Sequence, residues 1–491
     1  MHVADPFSSQ QRPVLFGNRG AVAAAHPLAV TAATEMLTAD GSAVDAAIAA
    51  QAVLCALSPD NCGLGGDQLC LVRTGDGVVT AVNGTGAAPA AMSRADTDGG
   101  NSVTVPGIVD AWVEMSRRWG RLPLGRVLAP AIRLAEDGIL VGADLAQTFR
   151  TYEARLVRGG AQDWALRGAP AGTRQSQPEL ARLLEAIGET GRDAFYAGDM
   201  AVALCRAIER SAGVMSLADL DRHETVVAPP ITTDWRGMRL HVQPPISQGI
   251  LLSMVLAAEE KLAHSSPASR DHIGIELTAS SFSFRDRASE GATLLSEPLA
   301  VDIEKASGRT GPRAYLHTAG VAVADRDGLV VSSLISVFDS FGSAVFVPEG
   351  GFTLNNRAAG FTVAPNDCAG GKRPIHTLAP VLLETETGCL ALATPGADGQ
   401  VQTLTQVLTN MFVGSDDLAT AIARPRWRSQ DGRLLVERGH RHGAELAAKG
   451  HDVEWLKDGD LRFGAIVSAG LKDGQPISCA DWRRETWAGV S

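Results

Sequence analysis

Thr318-Ala319-Gly320-Val321-Ala322-Val323-Ala324-Asp325-Arg326-Asp327-Gly328-Leu329-Val330-Val331-Ser332-Ser333-Leu334-Ile335-Ser336 is the stretch on which the fold turns. Residues 321–325 and 329–338 are β-rich apolar runs. Between them Asp325-Arg326-Asp327-Gly328 supplies the residue types that close a tight turn, so the whole reads as a hairpin.

Downstream of the hairpin the texture stays strand-like. Residues 344–347, 379–383, 389–393 and 465–469 are further strand candidates, interrupted by helical patterns at about 399–412 and 440–449. Upstream, helices dominate. Residues 20–57 read as two helices, the second capped by Ser42, with Asp45 completing a capping box. Residues 44–57 are apolar nearly all round, which marks a buried helix. A glycine-rich turn at 58–66 leads into strands at 69–73 and 78–82, and helices follow at 107–119, 125–136 and 178–188. Residues 155–175 are polar and rich in Gly and Arg, as an exposed loop would be. The sum is a mixed α/β chain without internal repeats, helix-rich over its first two-thirds and sheet-rich over its last third.

Composition excludes several classes. The 491 residues carry a formal net charge of -11 without a long basic run, a poor match to a nucleic-acid backbone. No apolar stretch is long enough to span a membrane, and the first twenty residues show no secretory pattern, so a cytoplasmic location is expected. Seven scattered cysteines fit reduced thiols and offer no zinc-binding spacing; no metal or other cofactor is expected. Gly63–Gly66 is not a phosphate loop, because no Gly-Lys-Ser/Thr follows it and no GxGxxG opens a helix.

A series of short motifs recurs in a defined order. His26-Pro27-Leu28-Ala29 precedes Gly41-Ser42-Ala43-Val44-Asp45-Ala46-Ala47 and the glycine turn; Val105-Pro106-Gly107, Gly120-Arg121-Leu122-Pro123 and Leu128-Ala129-Pro130-Ala131 follow. Asp193-Ala194-Phe195-Tyr196, Pro244-Pro245, Leu354-Asn355-Asn356, Lys372-Arg373-Pro374 and Thr394-Pro395-Gly396 complete it. In this order, over roughly residues 20–485, the chain resembles the gamma-glutamyltransferase family. The resemblance implies the N-terminal-nucleophile hydrolase fold, a four-layer αββα sandwich made as one precursor and cut internally. It places the cut between His317 and Thr318, giving a large region 1–317 and a small region 318–491, with Thr318 as nucleophile.

The chemistry of that position is self-consistent. A threonine hydroxyl is a weak nucleophile unless a base takes its proton, and a freed α-amine with a pKa of about 7.7–8.0 can be that base. By the same resemblance Ser336 orients the nucleophile, while Gly396 and Ala397 offer backbone N–H groups to an oxyanion. Ala397 stands where relatives have a second glycine, and alanine is tolerable there if its φ is negative. Asn356, Arg357, His376 and Thr377 are the expected substrate contacts. Ala319 and Gly320 replace the Thr and His that usually follow the nucleophile. Thr85 and Gly360 stand where glutathione-using members hold the glutamyl carboxylate with an arginine and the ammonium with an acid. Together with Gly371-Lys372-Arg373-Pro374-Ile375-His376-Thr377 these departures point to the divergent branch containing oxamate amidohydrolase and cephalosporin acylases. The expected activity is cleavage of a small carboxylate-bearing amide, γ-glutamyl by family default, through a threonyl acyl-enzyme resolved by water or an amine. The alternative is a catalytically silent relative that only binds.

Overall fold

The hairpin forms as its sequence predicts. Ala319–Asp325 and Val330–Ser336 pair antiparallel, with Ala319 opposite Ile335 and Ala324 opposite Val330, in a computed structural model that describes residues 10–308 and 318–491. Asp325 closes the turn: one carboxylate oxygen accepts the N–H groups of Asp327 and Leu329, each at 3.0 Å. Its other oxygen accepts the Ala43 N–H at 3.0 Å, which ties the hairpin to the helix Ala43–Leu57. Gly328 turns the chain at φ 90°, a value that glycine reaches without a Cβ penalty.

Two seven-stranded sheets are stacked. The first runs Trp487–Val490, Gly20–Ala24, Ala319–Asp325, Val330–Ser336, Asp67–Arg73, Val79–Gly84, Val226–Ala228, antiparallel throughout. The second runs Leu15–Phe16, Gln475–Ala480, Val467–Lys472, Gly388–Ala393, Val381–Thr385, Met238–Val242, Ile231–Trp235, again antiparallel. Side-chain alternation sorts the residues into layers. On the hairpin, Ala319, Val321 and Val323 join a core shared with the helices Pro27–Thr38, Ala43–Leu57 and Ile108–Trp119. Ala322, Ala324 and Leu334 join a second core between the sheets, where they meet Leu382, Ala391, Ala393 and Val467. The outer face of the second sheet packs on the helices Gly249–Glu259, Pro267–Phe282 and Gln400–Phe412. Helix, sheet, sheet, helix is the αββα stack expected from the sequence.

Most elements lie where their patterns put them. Ser42 caps Ala43–Leu57 in a capping box with Asp45, and all residues of that helix are buried. Three segments differ. Gly20–Ala24 is a strand rather than the start of a helix, because its five small apolar residues slot beside Ala319–Asp325, a choice that periodicity alone does not make. Of residues 155–175, expected as an exposed loop, 155–158 end the helix Ala143–Arg158, Arg174–Gln175 is a short strand, and 159–173 are irregular but not simply exposed, with Trp164 buried against Phe149, Phe341 and Phe346. The strand expected at 344–347 shortens to Phe346–Val347, since Ala344 takes φ 58°. The chain is also less divided into helical and sheet portions than its composition suggests, for both sheets draw strands from before and after residue 318. All seven cysteines are free thiols, and no described helix is long and apolar enough to cross a membrane.

Candidate active site

Three adjacent strand ends share one rim of the first sheet. Ser336 is in register with Asp67, and one step beyond the Ala319–Ile335 pair Thr318 falls opposite Ser336. Leu334 and Leu69 point between the sheets, so period-two alternation turns Ser336 and Asp67, with Thr318 before Gly320, toward the second sheet. Thr318 is 5% exposed. A Cβ at Gly320 would stand 3.0 Å from Val467 and 3.4 Å from Ala393, so glycine lets the strand that follows Thr318 settle close to the second sheet. Ser336 turns the following chain, its Oγ accepting the Phe338 N–H at 2.9 Å.

Asp67 is the centre of a buried clasp. Arg357 Nε donates to its Oδ2 at 3.0 Å and His376 Nε2 lies 3.2 Å from the same oxygen. The Arg357 guanidinium stacks 4.2 Å above the Phe338 ring, and at 1% exposure neither Nη1 nor Nη2 has a hydrogen-bond partner among the described residues. The Leu378 N–H donates to His376 Nδ1 at 3.2 Å, so the ring carries its proton on Nε2 and gives it to Asp67. Burial, reinforced by the Arg357 charge, pushes the His376 pKa down to about 4 and keeps the ring neutral. Burial would raise Asp67, but the His376 hydrogen bond and the Arg357 charge outweigh it and hold the carboxyl below its ordinary range.

The second sheet contributes the turn after Gly388–Ala393. Gly396 has φ 126° and Ala397 φ 52°. The negative φ that would make alanine tolerable at 397 is not adopted: the turn into the helix Gln400–Phe412 puts Ala397 in the left-handed conformation. Both carbonyls of the turn are held from behind, that of Gly396 by Arg428 Nη1 at 3.2 Å and that of Ala397 by Gln248 Nε2 at 3.0 Å. Gln248 also donates to the Thr377 carbonyl at 2.8 Å, joining the two loops. Among the described residues, the Gly396 and Ala397 N–H groups donate no hydrogen bond.

Not every expected contact is arranged for a substrate. His376 has both ring nitrogens engaged inside the protein. The Asn356 amide is spent on the loops around it, receiving the Asp339 N–H at 3.1 Å and donating to Thr97 O at 3.1 Å and Asp339 Oδ2 at 2.8 Å. These two residues hold the rim together. Thr377 is buried beside the clasp. His317 lies outside the described residues. Thr85 is buried with its hydroxyl on Asn83, yet a cation does reach this place: Arg373 Nε donates to the Thr85 carbonyl at 2.9 Å. At Gly360 a Cβ would meet Ile375 O at 3.4 Å and the Phe338 ring at 4.0 Å. Arg73 pairs with Glu384 at 2.8 Å, and Arg94 lies exposed beside Asp96. Asp67 and Gln248 were not singled out from the sequence, and Arg373 only as part of a motif; Asp67 alone left a further signal, a carboxylate placed directly after the glycine turn.

The αββα stack of two seven-stranded antiparallel sheets is the fold of the N-terminal-nucleophile hydrolases. The gamma-glutamyltranspeptidase family model matches residues 29–490, and the chain belongs to that family. It is 32% identical to the oxamate amidohydrolase proenzyme of Klebsiella pneumoniae, over 89% of this chain and 92% of that protein. It is 31% identical to the glutathione hydrolase-like YwrD proenzyme of Bacillus subtilis, over 84% and 85% of the two chains. The solved cephalosporin acylase from Bacillus halodurans superposes with a TM-score of 0.88 at 27% identity, covering 99% of this chain and 98% of that one. The family and these relatives are enzymes, which does not favour the reading as a silent binding protein.

Proposed function

We propose that the chain is an autoprocessed amidohydrolase or acyltransferase whose nucleophile is Thr318 and whose donor carries a carboxylate but no ammonium. Cleavage of the His317–Thr318 bond frees the Thr318 α-amine. The amine takes the hydroxyl proton as Oγ attacks the donor's amide carbon. The tetrahedral oxyanion is met by the N–H groups of Gly396 and Ala397, and Ser336 steadies the nucleophile. The C–N bond breaks as the amine proton passes to the leaving nitrogen, and water or an acceptor amine then resolves the threonyl ester.

The observation that carries the donor assignment is Arg357, buried and anchored by Asp67, with two N–H-bearing nitrogens left over. Asp67 and Thr318 stand two interstrand spacings apart, about 10 Å, on the same strand-end rim. Arg373 adds a second positive charge, and Gly360 offers no acid for an ammonium. Oxamate-like or glutaryl amides match that charge pattern better than a zwitterionic γ-glutamyl group. The test compares glutaryl-p-nitroanilide with γ-glutamyl-p-nitroanilide on wild type and Arg357→Ala. A charge-assisted pair is worth roughly 1.5–3 kcal/mol, so the variant should lose about ten- to a hundred-fold in kcat/KM on the glutaryl compound. Preference for the γ-glutamyl compound, unchanged by the substitution, contradicts the assignment.

A further inference from the structure

On the helix Pro267–Phe282, His272 and Glu276 are one turn apart and so share a face. His451, in the loop after the helix Gly443–Ala448, closes against them, its Nε2 2.8 Å from His272 Nδ1. One potential ligand atom from each of the three residues lies within 4.8 Å of the others. The remaining His272 nitrogen, Nε2, is 2.8 Å from the Asp302 carbonyl. A carbonyl only accepts, so Nε2 carries the proton and Nδ1 aims its lone pair into the cluster. This backbone-carbonyl anchor is the arrangement that fixes the tautomer of metal-binding imidazoles. His272 and Glu276 are buried, while His451 is half-exposed and leaves a way in.

We propose that His272, Glu276 and His451 form a site for a divalent transition metal of the zinc type, remote from Thr318. Two imidazoles and one carboxylate suit Zn²⁺, Co²⁺ or Ni²⁺ rather than Ca²⁺ or Mg²⁺, and leave a fourth position for water. Metal–ligand bonds of about 2.0–2.2 Å place ligand atoms about 3.3–3.5 Å apart in a tetrahedron, so the two imidazoles part by roughly half an ångström on binding. His451 then carries its proton on Nδ1 instead of Nε2, with no net proton released. The site has a structural consequence. Asp302 holds His272, and Glu276 Oε1 accepts the Ser307 N–H at 3.1 Å. A bound ion would therefore clamp the segment that leads toward the cleavage point. No such ligand set was legible in the sequence, because only the fold brings His451 to the His272–Glu276 face.

The test uses tag-free full chain stripped with EDTA and titrated with Zn²⁺, then with Co²⁺. One ion per chain is expected at micromolar affinity or better, and Co²⁺ should give the intense visible bands of a four-coordinate site. His451→Ala, in a loop, and Glu276→Gln, nearly isosteric, should each bind at least about ten-fold more weakly. The thermal midpoint of each metal-free variant checks that it is folded, and if one is not, the other decides. Absence of stoichiometric binding by wild type identifies a metal-free His–His hydrogen bond and overturns the proposal. Undiminished binding by the folded variants overturns it equally.

Discussion

Ala397 is the residue where the turn strains the chain. A non-glycine residue in the left-handed region costs on the order of 1 kcal/mol or more, and Ala397 carries that cost at φ 52°. Ala397→Gly should therefore raise the stability of the folded chain by about 1 kcal/mol in urea unfolding, with kcat within a few-fold of wild type. A loss of stability would mean that the Ala397 methyl packs more favourably than its backbone is strained. Arg357 invites a separable pair of measurements. Removing it alone leaves Asp67 buried without its charge partner, at a cost of about 3–5 kcal/mol. Arg357→Ala combined with Asp67→Asn should recover most of that stability while donor affinity stays low. Recovery of both would show that Arg357 acts only as Asp67's counter-ion. The sequence named Thr318, Ser336, Gly396 and Arg357 as candidates, and strand register sets Thr318 beside Ser336. The internal hydrogen bonds of Asn356 and His376 were not legible, because adjacency in a motif says nothing about which way a side chain turns. Arg373 was quoted only as part of a motif, and its approach to Thr85 was not legible because the two lie far apart along the chain.

At the scale of elements, the Asp67 clasp joins a strand end to two loops and should make the fold acid-sensitive. His376 titrates near 6.5 when unfolded and near 4 when folded. Between those values the unfolded chain binds the proton and the folded chain does not. The contribution is thus complete above about pH 6.5 and is lost as pH falls toward 4, amounting to about 3 kcal/mol at 1.36 kcal/mol per pH unit. Burial pushes His223 and His440 to about 4 as well, with the same sign. Asp67 acts lower down: its contribution holds above the ordinary carboxylate range and fades as pH falls through its depressed pKa. Urea midpoints should be flat from pH 8 to 6.5 and fall steadily below, and His376→Asn should flatten part of that fall. A wild-type midpoint unchanged between pH 7 and 4.5 would contradict a buried neutral His376. The hairpin and the capped helix Ala43–Leu57 were legible because turn and cap chemistry is local. The strand Gly20–Ala24 was not, since five small apolar residues fit either element until a neighbouring strand claims them.

The whole molecule explains how a cut chain would stay together. Ala319–Asp325 lies between Gly20–Ala24 and Val330–Ser336, and Val381–Thr385 pairs with Met238–Val242, so neither sheet can be completed by one side of residue 318 alone. After cleavage the two pieces should migrate as one species in size exclusion and separate only under denaturing conditions. The αββα order was legible through the motif series, whereas the interleaving of strands was not, because pairing partners hundreds of residues apart leave no local pattern. The central claim, Thr318 as self-released nucleophile, is tested most directly by a denaturing gel of the purified protein with N-terminal sequencing of the smaller band. The account predicts two bands, the smaller beginning Thr-Ala-Gly-Val, and a single inactive chain for Thr318→Ala. A wild-type chain that stays whole yet hydrolyses amides at full rate, or a small fragment that begins elsewhere, would contradict it.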